Sequence, residues 1–140
     1  MNENEVARQI VDAAYKIHST LGPGLLESAY QAALVYELQR RGLQIEAERQ
    51  MPVVYEGLRL DIGFRADLLV EDKVIVELKS LEQIAPVHKK QLLTYLRLAD
   101  KRLGLLINFG APLIKDGITR IVNHLEEDLT QSRKGRQENT

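Results

Sequence analysis

The sequence predicts an α/β fold in which a mixed β-sheet is flanked by helices. Two segments with helical spacing of apolar residues come first, at about residues 3–20 and 25–41. Three segments with alternating apolar residues follow, at residues 45–55, 60–70 and 74–80. Hairpin-linked strands, followed by a helical crossover and another strand, suggest helices packed against one mixed sheet.

Both N-terminal helices are predicted from apolar spacing and from the breakers that follow them. The first presents an inner stripe made of Val6, Ile10, Ala14, Ile17 and Leu21. The break Gly22-Pro23-Gly24 ends it. The second helix presents Leu26, Tyr30, Ala33, Leu34 and Leu38. Gly42 should end this helix with a positive φ, and Leu43 should supply the apolar contact after it.

The remaining elements follow from turns and apolar runs. Glu56-Gly57 and the triplet Glu71–Lys73 separate the three alternating strands. Pro86 suits the first turn of a helix that continues to about Ala99. The apolar run at residues 104–109 predicts a strand buried on both faces, and residues 118–122 could form a last strand. We expect one domain at residues 1–123 and a polar C-terminal tail at residues 124–140.

Composition narrows the class of protein. A chain of 140 residues has the size of one domain, and its net charge of −1 gives no general attraction to nucleic acid. The chain contains no cysteine, which excludes disulfides and thiolate metal sites and fits a cytoplasmic location. No apolar run reaches the roughly 18 residues of a membrane span, so we expect no membrane association. The N-terminus lacks the apolar segment of a signal peptide.

Two acids and a lysine form the most informative pattern. Asp67 is followed ten residues later by Glu77-Leu78-Lys79. Residues two apart in a strand share a face, so Glu77 and Lys79 should point the same way. Asp67 should face opposite to Ala66 and Leu68, its neighbours in the preceding strand.

The length of the second turn decides whether the two acids meet. If the turn is Glu71–Lys73, Val70 pairs with Val74, and counting back places Asp67 directly across from Glu77. Directly opposed residues have Cβ atoms roughly 4.5–5.5 Å apart. Two carboxylates at that separation repel each other unless a cation lies between them. Oxygen ligands with retained waters suit Mg²⁺ or Mn²⁺.

An ordinary hairpin surface is the alternative interpretation of this pattern. Acids and a lysine on a solvated face form ion pairs in many proteins, and the D…ExK pattern is short enough to arise by chance. A two-residue turn would also offset Asp67 from Glu77. The pattern alone therefore leaves both interpretations open.

Other motifs occur in a specific order around these acids. Gly24-Leu25-Leu26-Glu27-Ser28-Ala29-Tyr30 precedes the strands, and His88-x-x-Gln91-x-x-x-Tyr95 lies on the later helix. The run Gly104–Phe109 follows it. From about Val6 to Val122, the chain resembles the GxxExxY family, a branch of the PD-(D/E)XK nuclease superfamily.

The resemblance implies a fold, an activity and a set of site residues. The fold is a restriction-endonuclease-like αβββαβ core, here with an extra N-terminal helix. The activity is hydrolysis of phosphodiester bonds that depends on Mg²⁺ or Mn²⁺. The implied metal ligands are Asp67, Glu77, the backbone carbonyl of Leu78 and, directly or through a water, Glu27. Lys79 would be the catalytic lysine, and Gln91 an accessory polar residue. Ala66 stands where the superfamily's name has proline.

Several of these residues also have simpler explanations. Glu27 near a helix N-terminus could complement the helix dipole, an effect of typically 0.3–1 kcal/mol. Tyr30 is expected to pack or to hydrogen-bond the site. His88, Gln91 and Tyr95 form one helical stripe, which either lines a cleft or is plain surface. Asn108 within the last apolar run is expected to be structural.

The sequence therefore predicts a small cytoplasmic nuclease in which a metal-activated water hydrolyses nucleic acid, with DNA favoured over RNA as the partner. A domain of this size contacts little duplex, which makes a homodimer plausible. Two alternatives stay open: a non-catalytic nucleic-acid-binding or regulatory module of the same fold, and a protein-interaction subunit.

Overall fold

The protein follows the predicted order of helices and strands. The structure is a computed structural model, and it describes residues 1–125. Its elements are α1 (Glu3–Leu21), α2 (Glu27–Arg40), β1 (Ile45–Tyr55), β2 (Leu58–Val70), β3 (Val74–Lys79), α3 (Pro86–Ala99), β4 (Leu103–Asn108), α4 (Ile114–Gly117) and β5 (Ile118–Val122). Most of the predicted polar tail, from residue 126 onwards, lies outside the described residues.

The five strands form one mixed sheet, as predicted. Their order is β1-β2-β3-β4-β5. Strands β3 and β4 pair in parallel, and the other neighbouring pairs are antiparallel. A parallel pair needs a crossover connection, and α3 provides it between β3 and β4. Strand β4 is buried along its whole length, which confirms its prediction as an internal strand.

Each face of the sheet has its own apolar core. One core joins α1 and α2 to the sheet, with Tyr30, Leu34 and Leu38 from α2 fully buried. The other joins α3 to the opposite face through Leu92 and Leu96. The helices therefore cover both faces of the sheet. Within residues 1–125, no helix combines the length and apolar character needed to cross a membrane.

The turn between β2 and β3 has the predicted length. Val70 pairs with Val74, which leaves Glu71–Lys73 between the paired residues. Glu71 and Asp72 have φ of 55° and 54°, and the Lys73 amide donates to the Val70 carbonyl at 3.0 Å. This left-handed turn matches the twist of the flanking strands and fixes their register.

The starts of two elements and one short helix differ most from the sequence prediction. Helix α2 begins at Glu27 because the chain before it stays irregular, with φ of 73° at Gly22 and 105° at Gly24. Strand β2 begins at Leu58, directly after the tight turn at Glu56-Gly57. Helix α4 has four residues, which is too few for a periodic pattern to reveal it.

Candidate metal centre

Asp67 and Glu77 lie where the pairing of β2 and β3 stops. The last paired residues are Leu68 and Val76, so the two acids occupy the next position on each strand. The Asp67 amide donates to a carboxylate oxygen of Glu77 at 2.9 Å. The Leu78 amide donates to a carboxylate oxygen of Asp67 at 2.8 Å. Each carboxylate therefore accepts an amide of the other strand, at the positions that the predicted pairing of Val70 with Val74 brings together.

Strand β2 changes face beside Asp67, and the strict alternation predicted for it is wrong at this point. Phe64 and Ala66 pack with the α3 core, whereas Leu68 packs with the core on the other face. Ala66 and Leu68 therefore do not share a face. Across from Asp67 on β1, Glu48 has φ of 53°. Local irregularities of this kind re-aim side chains beside active sites.

The carboxyl group of Glu77 binds its proton unusually tightly. Burial and the charge of Asp67 raise its pKa to about 7 from an ordinary value of 4.5, and the Glu27 charge adds to the effect. The hydrogen bond from the Asp67 amide and the charge of Lys79 act in the opposite direction but do not cancel it. At neutral pH the ionised form of Glu77 is therefore disfavoured, first by burial and then by repulsion from the Asp67 charge. A bound cation would relieve that repulsion.

Lys79 and Leu78 both lie on β3, directly after Glu77. Glu77 and Lys79 are half-buried and share a face, while the Leu78 side chain is buried in the other core. Lys79 pairs with Asn108 of β4, so its backbone is held within the sheet. Its charge lowers the pKa of Glu77, which places its ammonium within electrostatic range of the acids. The Leu78 amide binds Asp67, as described above.

Glu27 reaches the cluster from a different element. It is the first residue of α2 and is exposed to solvent. Its charge nevertheless contributes to the raised pKa of Glu77. Glu27 is therefore within electrostatic range of Glu77, which a helix-dipole role alone does not require.

Of the helical stripe His88, Gln91 and Tyr95 on α3, Tyr95 is the residue whose pKa the acids change. Burial, followed by the charges of Glu77 and Asp67, raises the pKa of the half-buried Tyr95. Gln91 is exposed and hydrogen-bonds Tyr95, whose ring stacks on Phe64 with centroids 4.0 Å apart. Gln91 thus lies next to Tyr95, whose pKa the charges of the two acids raise. His88 has a local role instead, because its Nδ1 accepts from the Ala85 amide at 3.1 Å and caps α3.

The donor set fits a small, hard divalent cation. Mg²⁺ is commonly held by one or two carboxylates and keeps several waters. Asp67 and Glu77 supply two carboxylates, and Lys79 stands close to them. No three Asp, Glu, His or Cys side chains within residues 1–125 are grouped closely enough to hold a metal ion together. Within these residues, Glu27 is therefore not grouped with Asp67 and Glu77 as a third close acid.

A model of a known protein family matches most of the chain. A family model for the PD-(D/E)XK nuclease superfamily matches residues 4–121. The chain belongs to this superfamily. The mixed sheet with flanking helices is consistent with the PD-(D/E)XK fold. No curated protein and no solved structure matches the chain. The narrower resemblance to the GxxExxY branch stays a prediction.

Two residues beside Lys79, Ser80 and Asn108, make contacts that the sequence did not reveal. Ser80 Oγ donates to the Leu25 carbonyl at 2.6 Å. The buried carboxamide of Asn108 holds the Leu81 backbone on both sides, with two hydrogen bonds of 2.9 Å. The structural role expected for Asn108 is confirmed. Both contacts join segments that are distant in sequence, so no local pattern signals them.

The shifted Glu77 carboxyl predicts a pH-dependent stability. Because its folded pKa of about 7 exceeds its ordinary 4.5, stability should fall as pH rises between these values. We expect Glu77→Gln to stabilise the metal-free protein at pH 8, by at most about 3 kcal/mol, and to have little effect near pH 4.5. Glutamine keeps an acceptor for the Asp67 amide. Urea unfolding in a chelating buffer at both pH values measures this difference.

Glu56→Gln is the matched control for this measurement. Glu56 lies exposed in the turn between β1 and β2, away from the two acids. Its replacement should give the same change in stability at both pH values. Equal stabilisation by Glu77→Gln at pH 8 and pH 4.5 would contradict the assignment of a raised pKa to Glu77.

Proposed function

We propose that this chain is a nuclease that uses Mg²⁺ or Mn²⁺ to hydrolyse phosphodiester bonds in nucleic acid. One observation carries the proposal: two carboxylates each accept an amide of the other's strand, one of them has a pKa raised to about 7, and a lysine lies on the same strand face. Membership of the PD-(D/E)XK nuclease superfamily supports it, since these nucleases generally use divalent metals. Asp67, Glu77 and the Leu78 carbonyl are the proposed ligands.

Each residue of this chain has a distinct task in the proposal. A divalent cation held here would supply charge stabilisation at the phosphate and make water more acidic. Lys79 holds the attacking water and offsets negative charge on the phosphate oxygens as the P–O bond breaks. Glu27 adds negative charge that favours cation binding. Gln91, on the exposed side of α3, orients Tyr95 and lines the approach to the acids.

The substrate class is nucleic acid, with DNA favoured over RNA. The test is cleavage of single- and double-stranded DNA and RNA, with Mg²⁺ or Mn²⁺ and with a chelator. Cleavage that requires the metal supports the proposal. Metal binding without cleavage of any of these substrates would favour a non-catalytic module of the same fold. The homodimer and the cytoplasmic location stay predictions.

Glu27 offers a prediction that separates a metal role from a helix-dipole role. Glu27→Gln should weaken Mn²⁺ binding by roughly 10–100-fold, the range for losing a group that acts on a metal beyond its direct ligands. The fold should stay intact because Glu27 is exposed. Calorimetric titration with Mn²⁺, together with thermal unfolding, measures both quantities.

Glu3→Gln is the matched control because Glu3 occupies the corresponding first turn of α1. Both substitutions remove a charge that complements a helix dipole, and each should cost a similar small amount of stability. Only Glu27→Gln should change Mn²⁺ affinity. If the two variants bind Mn²⁺ equally well, Glu27 belongs to the helix dipole alone.

A further inference from the structure

The loop before Glu27 is held from two sides at a single residue. The Leu25 amide donates to the Tyr30 hydroxyl at 3.1 Å. The Leu25 carbonyl accepts from Ser80 Oγ at 2.6 Å. The Tyr30 hydroxyl in turn donates to the Gly22 carbonyl, so it closes the loop across its base. Leu25 is thus fixed both to its own helix and to the end of β3.

These contacts replace the usual cap of α2. The N-cap residue is Leu26, which makes no side-chain capping hydrogen bond and is 79% exposed. A helix normally begins where Ser, Thr, Asp or Asn accepts from an early amide. Without such a residue, the position of the first turn depends on the loop that leads into it. Glu27 is the first residue of that turn.

The two residues whose hydroxyl groups hold Leu25, Tyr30 and Ser80, are both connected to β3, the strand that carries Lys79. Tyr30 is fully buried, and its ring stacks on Phe109 with centroids 4.4 Å apart and planes 4° from parallel. The Phe109 amide donates to the Lys79 carbonyl at 2.9 Å. Ser80 is the next residue after Lys79. The tyrosine hydroxyl and the serine hydroxyl therefore have fixed positions relative to Lys79.

We infer that Tyr30 and Ser80 are positioning residues that fix the start of α2, and with it Glu27, relative to the Asp67–Glu77 pair by clamping the Leu25 backbone. The inference rests on the proposed function, since the use of Glu27 is part of that proposal. Tyr30 has a second role in packing through its ring. Its hydroxyl is what distinguishes positioning from packing, because Tyr30→Phe keeps the stacked ring and removes only the clamp.

The first experiment measures the loop itself and needs no metal or substrate. We expect backbone amide order parameters at Leu25 and Glu27 to fall from about 0.85 to about 0.6 in the Tyr30→Phe/Ser80→Ala double variant. Tyr36→Phe on the exposed side of α2, and Ser19→Ala, should leave them unchanged. Ser19 is a fitting control because its hydroxyl also donates to a backbone carbonyl, that of Lys16 at 3.0 Å. Unchanged rigidity at Leu25 and Glu27 in the double variant would overturn the inference.

The second experiment asks whether the clamp acts through Glu27. The double variant should bind Mn²⁺ more weakly and cut more slowly, by roughly tenfold to a hundredfold, because small misplacements of a site residue have large effects. In a Glu27→Gln background the same two substitutions should change neither quantity by more than about twofold. Equal effects in both backgrounds would assign Tyr30 and Ser80 a purely structural role.

Failure of the proposed function would give a different result from failure of the positioning role. If the wild type neither binds Mn²⁺ nor cuts nucleic acid, the nuclease proposal is wrong. The relaxation measurement still decides whether Tyr30 and Ser80 fix the start of α2.

Discussion

Replacing Lys79 with alanine is expected to remove most cleavage and leave Mn²⁺ binding intact. The expected loss is roughly 10²–10³-fold, as is typical when one preorganised charge-stabilising group is removed. The ammonium contributes mainly in the transition state, so kcat should fall more than substrate affinity. Single-turnover cleavage and calorimetric Mn²⁺ titration give the two quantities.

The Mn²⁺ titration should be done at about pH 8. Lys79 lowers the pKa of Glu77, so its removal should raise that pKa further. At lower pH the proton would then compete with the metal, and a loss of binding would be misassigned to Lys79. Repeating the titration at pH 7 separates the two effects, because competition from the proton weakens as the pH rises.

Arginine at the same position should restore little activity. The guanidinium is planar and stays protonated, so it acts neither as a compact charge nor as a proton donor to the reaction. Lys73→Ala, at the opposite end of β3, is the control and should cut like the wild type. If Lys79→Ala cuts as fast as the wild type, the proposed role of Lys79 is wrong.

Local patterns were sufficient to predict the main elements of the fold. The triplet Glu71–Lys73 between two alternating segments placed Val70 opposite Val74, and the structure has this pairing. Gly42 ends α2 with φ of 84°, and the Leu43 amide donates to the Leu38 carbonyl at 3.1 Å. These features depend on neighbours in sequence, so their residue types reveal them.

The details of the candidate site depend on contacts that a sequence pattern does not contain. Alternation predicts that Ala66 and Leu68 share a face, and the irregularity beside Asp67 separates them. The bond from Ser80 to Leu25 joins residues 55 positions apart. The register of one turn was enough to place Asp67 and Glu77 at neighbouring positions on β2 and β3. It did not reveal the clamp, because that depends on how α2 approaches the sheet.

The buried Glu37, away from the site, makes another contact that a sequence pattern does not contain. Apolar spacing in α2 describes its inner face as hydrophobic, yet Glu37 is 9% exposed. Lys16 of α1 pairs with it at 3.2 Å and joins the two helices, and Arg41 pairs with it at 3.1 Å from the C-terminal end of α2. Hydrogen bonds from Arg41 and Lys16 lower the pKa of Glu37. A paired acid inside a helix interface has no periodic signature.

Asp67→Asn is expected to change stability and metal binding in opposite directions. Asparagine keeps an oxygen that can accept from the Leu78 amide, so the local geometry should survive. Loss of the Asp67 charge removes a repulsion that raises the pKa of Glu77, and the metal-free protein should gain stability at pH 8. Mn²⁺ affinity should fall by more than the roughly 10–100-fold cost of losing an indirect partner. Cleavage should fall by roughly 10³-fold or more.

A gain in stability together with a loss of Mn²⁺ affinity in Asp67→Asn distinguishes a metal centre from a structural contact between strands. If the two carboxylates served only to join β2 and β3, removing one charge would alter stability. Mn²⁺ affinity would then not change, because the pair would not bind the metal in the wild type either. Asp61→Asn is the matched control, since Asp61 lies exposed on the same strand. Its effects on both quantities should be small. A gain in stability by Asp67→Asn with unchanged Mn²⁺ affinity would show that the acids do not hold the metal. A loss in both would show that Asp67 acts mainly through the fold.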